Sequence, residues 1–308
     1  MNKLKLNILS LGLLCFGITG CSESYLDVES TTNVTTENYY KTIDDADRAL
    51  IGCYDGWQCT TSNGSLSIYV ASQVMSDECF GGTGNTDGKG YQAIDRFDIS
   101  VSSSDANLFN GTWNDYYAGI FRCNTLLQKL DQIDWKGDDQ IRKRVEGETR
   151  ALRAIMYFDL ARLFGSVPLL TGPTAENLPQ AEPAEIYKLI AEDLKFAADN
   201  IPTNAYPKAN ASTNDGRITC YAAKALLARV YLFYTGYYGA SDLVGVVTKE
   251  QALAGLEDVI SSKEYDLVPE FKNLWPAASS TPVKGKFEFV STYAGDGNIE
   301  TVLSMKFN

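Results

Sequence analysis

Residues 139–164 read DQIRKRVEGETRALRAIMYFDLARLF, and residues 165–169 continue GSVPL. Ile141, Val145, Leu152, Ile155, Met156, Leu160 and Leu163 fall at helical intervals in this stretch, the spacing that gathers apolar side chains on one stripe of an α-helix. Gly165 suits the left-handed turn that closes a helix, and Pro168 prevents its resumption. The spacing therefore predicts a helix over 139–164. Glu146 and Arg150, four residues apart, are placed to pair along it.

The same period extends in both directions. Ile43, Ala46, Leu50, Cys53, Tyr54 and Trp57 mark a helix with Thr42 and Asp44 available as caps, and Trp113, Tyr116, Tyr117, Ile120, Cys123, Leu127 and Leu130 mark another. Pro183 opens a helix carrying Ile186, Ile190, Leu194 and Ala197, which Ile201-Pro202 stops. Residues 219–234, dense in alanine, predict a helix ending at Gly236, and another is expected over 249–262. Small residues let a neighbouring helix come close, so the series predicts a mostly α, tetratricopeptide-like stack, although no strict internal period is visible. Only 287–291 and 301–307 alternate as strands do.

Across 308 residues, 27 Lys plus Arg face 39 Asp plus Glu, a formal charge of −12, and histidine is absent. An acidic chain lacks the electrostatic footprint that grips phosphate backbones, so no nucleic-acid partner is expected. Without histidine there is no Ser-His-Asp or Cys-His nucleophile and no His-ligated zinc. G-x-S-x-G, S-x-x-K and C-x-x-C are absent as well, and the glycine-rich GGTGNTDGKG at 81–90 matches neither a phosphate loop nor an EF-hand. No cofactor or metal is expected; a calcium held by Asp77, Glu78 and Asp87 is an open alternative. The acidic pairs Asp44-Asp45, Asp138-Asp139, Glu192-Asp193 and Glu257-Asp258 fall mostly on polar helix faces, where solvation accounts for them.

Residues 1–20 have the form of a targeting segment. Lys3 and Lys5 precede an apolar run from Ile8 to Ile18, too short for a hydrocarbon core about 30 Å thick. Ile18-Thr19-Gly20-Cys21 resembles a bacterial lipobox, with Cys21 as the lipid attachment site and new N-terminus. Each buried acyl CH₂ contributes about 0.8 kcal/mol to membrane anchoring. Ser22-Glu23 resembles the acidic signal that carries lipoproteins of Bacteroidota to the cell surface. The expected location is the outer membrane, lipid-anchored and surface-exposed. Cys53, Cys59, Cys79, Cys123 and Cys220 are left in the mature chain. A Cys53–Cys59 disulfide and separate thiols both fit, while Cys123 and Cys220 sit at apolar helical positions that suit buried thiols.

ETRALRAIMYFDL at 148–160, running into Leu163-Phe164-Gly165-Ser166-Val167-Pro168-Leu169, resembles the signature block of the SusD/RagB outer-membrane lipoproteins of Bacteroidota. Four further blocks match in the family's order: Cys21–Asp27, Trp113–Leu127 (W-x-x-x-Y-x-x-I-x-x-x-N-x-L-L), Ala252–Leu267 and Asn298–Leu303. The resemblance implies a SusD-like N-terminal helical domain over 21–308. Family members continue past the last block into a C-terminal domain that supplies some ligand contacts, so a truncated or shortened relative is expected. It also implies a surface protein that captures oligosaccharide and hands it to a SusC-like TonB-dependent transporter, without catalysis. Two alternatives stand beside it: a partner-docking lipoprotein without a sugar site, and a carboxylate-based glycoside hydrolase.

Eighteen Tyr, 13 Phe and 4 Trp supply flat apolar faces with polar rims, suited to stacking on sugar rings while carboxylates and amides bind hydroxyls. The candidate platform is the polar stretch 76–110, long for a plain connector. It offers the candidate ligand-binding residues Asp77, Phe80, Asn85, Asp87, Tyr91 and Arg96, with Glu78 and Phe97 beside them. The alternative is that Tyr91 and Phe97 only pin the loop to the helices. Trp57 and Trp113 lie on apolar stripes and are expected in the core; Trp275 fits core or surface.

Overall fold

The computed structural model describes residues 39–61, 67–76, 78–82, 84, 86–100, 109–174, 176–206 and 216–307. Residues 41–308 form one compact unit; of the preceding unit only Tyr39 and Tyr40 are described, so the leader and Cys21 lie outside the described residues.

The described elements are almost all helical: α1 (Ile43–Cys59), α2 (Ile68–Val74), α3 (Lys89–Asp95), α4 (Phe109–Lys129), α5 (Asp139–Phe164), α6 (Pro183–Asn200), α7 (Cys220–Tyr238), α8 (Lys249–Ser261) and the single turn α9 (Pro276–Ser279). None of them is long and apolar enough to cross a membrane. Strands β1 (Ser280–Pro282) and β2 (Phe289–Ser291) pair antiparallel, Thr281 opposite Val290. The helix over 139–164 and the proline-led α6 begin and end where their patterns predict. Thr42 caps α1 by accepting from the Asp45 amide, and the Asp45 carboxylate answers with a bond from the Thr42 amide, a reciprocal capping box.

Two expectations are corrected. Helix α7 passes through Gly236 and ends at Gly239, whose φ of +65° suits a residue without Cβ. Tyr238, beyond the expected end, packs on Tyr187 of α6 at a ring-centroid distance of 5.7 Å, beside Tyr234 at 4.9 Å from the same ring. That ring burial outweighs the ~1 kcal/mol cost of an interior glycine. Residues 301–307 form no strand; only the 287–291 segment pairs. Of the two states left open for Cys53 and Cys59, the structure has the separate thiols: both lie on α1, six residues apart, about 9 Å of helical rise and too far for a disulfide.

Successive helices α5, α6, α7 and α8 each pack on the next, and α4 bridges α1 and α5. Their partners show the alternation. Early Gly147 of α5 meets Ile201 just past α6, while late Phe158 of α5 meets early Tyr187 of α6. Early Lys224 of α7 pairs with late Asp258 of α8 at 2.7 Å. This up-and-down series is the tetratricopeptide-like stack expected from the sequence. Trp57 is core; Trp113 is half-buried against Tyr117 and Phe164; Trp275 is exposed beside Phe271.

Helices α1 and α4 cross backbone to backbone. A Cβ on Gly56 would lie 2.8 Å from the Gly119 Cα, so the helices would have to separate. Gly56→Ala is expected to destabilise the protein by about 1–3 kcal/mol, read as a lower denaturant midpoint at unchanged slope; an unchanged midpoint would show that the crossing relaxes freely.

The signature stretch serves the interior. Arg153 donates to both oxygens of Asp193 on α6, Nε–Oδ2 at 2.8 Å and Nη2–Oδ1 at 2.9 Å, and its third nitrogen donates to Asn124 Oδ1 of α4 at 2.7 Å. Asn124 passes the connection on, donating to the Leu170 carbonyl at 2.8 Å. The Tyr157 hydroxyl donates to that same carbonyl and accepts from the Leu170 amide at 2.7 Å, while Tyr117 donates to the Pro168 carbonyl at 2.8 Å. Two sequence blocks, 113–127 and 148–160, thus clamp one strap, 167–170. Asp193, expected on a solvated face with its neighbour Glu192, is instead fully buried; burial pushes its carboxyl above the usual range and Arg153 pulls it back. The Glu146–Arg150 pair forms as expected, at 2.7 Å.

Candidate functional site

Helix α5 ends at Phe164, and the rings of Phe109 and Trp113 from the start of α4 stand edge-on to it at 5.9 and 5.2 Å. Against this end of the stack lie α2, α3 and the turn that follows α3. Together they enclose a hollow of about 460 Å³, lined chiefly by Met75, Ile94, Phe97, Ile99, Phe109 and Phe164. Phe97 is 63% exposed and Ile99 fully so. Phe97 also holds a φ of +51°, a left-handed conformation that bulky side chains adopt at a cost of ~1–3 kcal/mol and that clusters at ligand sites. A flat ring offered to solvent beside an apolar hollow is the surface on which the C–H face of a sugar packs.

The loop around it is built as a knot with Gln92 of α3 at its centre. Buried Gln92 donates from Nε2 to the carbonyls of Gly84 at 2.8 Å and Asp87 at 2.5 Å, and its Oε1 accepts from Arg96 Nη2 at 3.2 Å. The Asp87 carboxylate accepts from the Gly84 amide at 2.8 Å. Gly81 lies against the Tyr91 backbone, where a Cβ would come within 2.5 Å of the carbonyl oxygen. The glycines here serve close backbone approach.

Of the candidate ligand-binding residues, Phe80, Asp87, Tyr91 and Arg96 all fall on this knot, and Asp77 and Asn85 lie outside the described residues. Phe80 is 49% and Tyr91 37% exposed, so both rings are offered to solvent. Asp87 and Arg96 hold the loop's own backbone and Gln92. None of the four lines the hollow; Phe97 does, with Met75, Ile94 and Ile99 around it. Ile99, Met75 and Phe164 come from three separate segments, and no local spacing joins them. No group of three metal-ligating side chains occurs among the described residues.

A second cleft, of about 620 Å³, lies between α1 and residues 216–217 and 305–307. Several of its polar groups are already engaged, although Trp57 Nε1 and Arg217 Nη1 are buried without a hydrogen-bond partner. Tyr54 donates to Glu148 at 2.5 Å, Arg217 approaches the same carboxylate at 3.6 Å, and Asp55 is paired with Arg122. Trp57 there is buried. The hollow beside Phe97 is therefore the better candidate.

The protein is thus a stack of paired helices that presents an aromatic loop at one end. Residues 24–232 match the SusD-like family model described as "Starch-binding associating with outer membrane". The chain belongs to this SusD/RagB family. It is 25% identical over 280 residues to "SusD-like protein P38" of Formosa agariphila, covering 88% of this chain and 49% of that protein. A solved structure titled "Laminarin binding SusD-like protein" is 30% identical and superposes with a TM-score of 0.61 over 77% of this chain and 48% of its own. Surface glycan-binding protein A from Bacteroides thetaiotaomicron, in complex with laminarihexaose, has the same fold at 24% identity and a TM-score of 0.60, covering 76% of this chain and 46% of its own. The chain spans about half the length of the relatives it matches.

Proposed function

We propose that this protein binds a glycan at the cell surface through the aromatic loop at the end of the helical stack, and delivers it to a SusC-like TonB-dependent transporter while anchored by lipid on Cys21. The observation that carries the reading is the exposed Phe97 ring over an apolar hollow. Membership of a family described as starch-binding and outer-membrane-associated supports it, as does the laminarin-binding relative that shares the fold. Binding proceeds by stacking and hydrogen bonding, with no covalent step; a sequence without histidine agrees with that. Glycan retardation in native gels tests it. Phe97→Ala is expected to weaken retention by about tenfold, equivalent to ~1.4 kcal/mol, with melting temperature unchanged because the ring is exposed. Phe80→Ala and Tyr91→Ala probe the knot in the same gels. Unchanged retention in all three variants removes the loop from the site, and release of shortened products from the glycan replaces the binding role with a hydrolytic one.

A further inference from the structure

The hollow beside Phe97 continues, through Met75, Arg162 and Leu163, into a smaller notch of about 320 Å³ that Tyr69, Ser72 and Arg229 complete. In a chain of net charge −12, this notch gathers two guanidinium groups. Among the described residues one carboxylate, Asp159, faces them, and its oxygens are already engaged: Oδ2 accepts from Tyr116 at 2.9 Å and Oδ1 from Arg162. Asp98 lines the adjoining hollow, its Oδ1 accepting from the Ser100 amide and hydroxyl. Asp159 offsets one positive charge. The second is left over, because exposed Arg229 has no carboxylate within ion-pair distance among the described residues. The Arg162 guanidinium is fixed over the Phe158 ring, 4.3 Å from its centroid, and its Nε is buried with no hydrogen-bond partner. The Tyr69 hydroxyl sits in the field of all three charged groups. A guanidinium held in place by a ring, a second one unpaired, and the Tyr69 hydroxyl beside them form a receptor for a small anion carried on a larger apolar-faced ligand, the Ser72 hydroxyl being spent on the Tyr69 carbonyl.

We propose that the Arg162–Arg229 notch binds an anionic substituent, a carboxylate or a sulfate ester, of the sugar stacked on the adjoining hollow, so that the ligand is an acidic glycan. This rests on the glycan-binding reading above. The protein's overall negative charge repels a polyanion at long range, so the preference arises from the one local site and not from bulk attraction.

The test measures binding of the whole chain to neutral laminarihexaose, to an oligogalacturonate and to a sulfated carrageenan oligosaccharide by titration calorimetry, with wild type, Arg229→Gln and Phe97→Ala. Arg229 is exposed, so its replacement is expected to leave the melting temperature unchanged; Arg162 also holds Asp159 and is left intact. The expected result is binding of one acidic oligosaccharide at least tenfold tighter than the neutral one, with Arg229→Gln abolishing that excess and Phe97→Ala weakening both. Which acidic ligand responds distinguishes carboxylate from sulfate. Equal binding of neutral and acidic ligands, or an acidic preference that survives Arg229→Gln, overturns the notch while leaving glycan binding in place. No binding by any of the three overturns the glycan reading and the notch with it.

Discussion

Arg153→Ala is expected to destabilise the protein by about 3–5 kcal/mol and to lower its melting temperature on the order of 10 °C. The Arg153 side chain is almost completely buried and supplies three charge-assisted hydrogen bonds to groups on two other helices. Truncation leaves the Asp193 carboxylate at zero exposure with only Arg150 near it, at 3.3 Å. It also strips the Asn124 side chain of its donor, loosening the bond that Asn124 makes to the 167–170 strap. The cost arises from an orphaned charge more than from lost attraction, so replacing both partners is the sharper measurement. Arg153→Met with Asp193→Leu is expected to recover most of the loss, because apolar groups of similar volume carry no desolvation cost. Denaturant midpoints of the two single variants and the double variant check this. A single variant within about 0.5 kcal/mol of wild type would show that water enters and screens Asp193.

The contrast between what the sequence discloses and what it conceals follows from how far apart the interacting groups lie. Helix α5 is legible because its stripe, its closing glycine and its proline are all local, and α6 because proline and Ile201-Pro202 bracket it. Helix α7 is misjudged by a local rule: Gly236 signals a stop, but Tyr187, nearly fifty positions earlier, holds the Tyr238 ring beyond it. Asp193 beside Glu192 reads as a solvated pair, since a sequence does not say that Arg153 will meet it. The aromatic loop is identifiable from composition and length, yet its hub is Gln92, an uncharged residue that nothing in the local pattern singles out. Met75, Phe97, Ile99 and Phe164 meet only because α5 ends where α2 and α3 fold back on it. The family blocks are legible for a reason different from the one they suggest: ETRALRAIMYFDL with GSVPL builds an interior clamp, and the exposed Phe97 ring beside the hollow comes from the turn after α3.

Glu148→Gln is expected to cost about 3 kcal/mol, and its effect should extend to the segment that follows α6. The Glu148 side chain is wholly buried and draws together four groups from distant parts of the chain. Tyr54 of α1 donates to Oε2 at 2.5 Å, Tyr206 donates to Oε1, Arg144 reaches Oε1 at 3.2 Å, and Arg217 stands 3.6 Å from Oε2. Burial pushes the carboxyl above its ordinary range, and Arg217, the two tyrosines and Arg144 oppose that push. The Tyr54 hydroxyl also accepts from the Ile218 amide at 2.7 Å, so the carboxylate indirectly fixes the entry to α7. An amide at position 148 keeps the shape but leaves two guanidiniums sharing one neutral carbonyl, and it competes with Ile218 as a donor to Tyr54. Hydrogen exchange at the Ile218 amide should therefore rise along with the global loss. Tyr54→Phe should lose about 1.5–3 kcal/mol, the value of a hydrogen bond to a charged group, and raise Ile218 exchange in the same way. Combined, the two replacements should cost less than their sum by 0.5 kcal/mol or more, about the lower limit for residues in one network. Strict additivity, with Ile218 exchange unchanged in Glu148→Gln, would mean that the carboxylate neutralises its arginines without organising the tyrosines, and that the approach to α7 is held by packing alone.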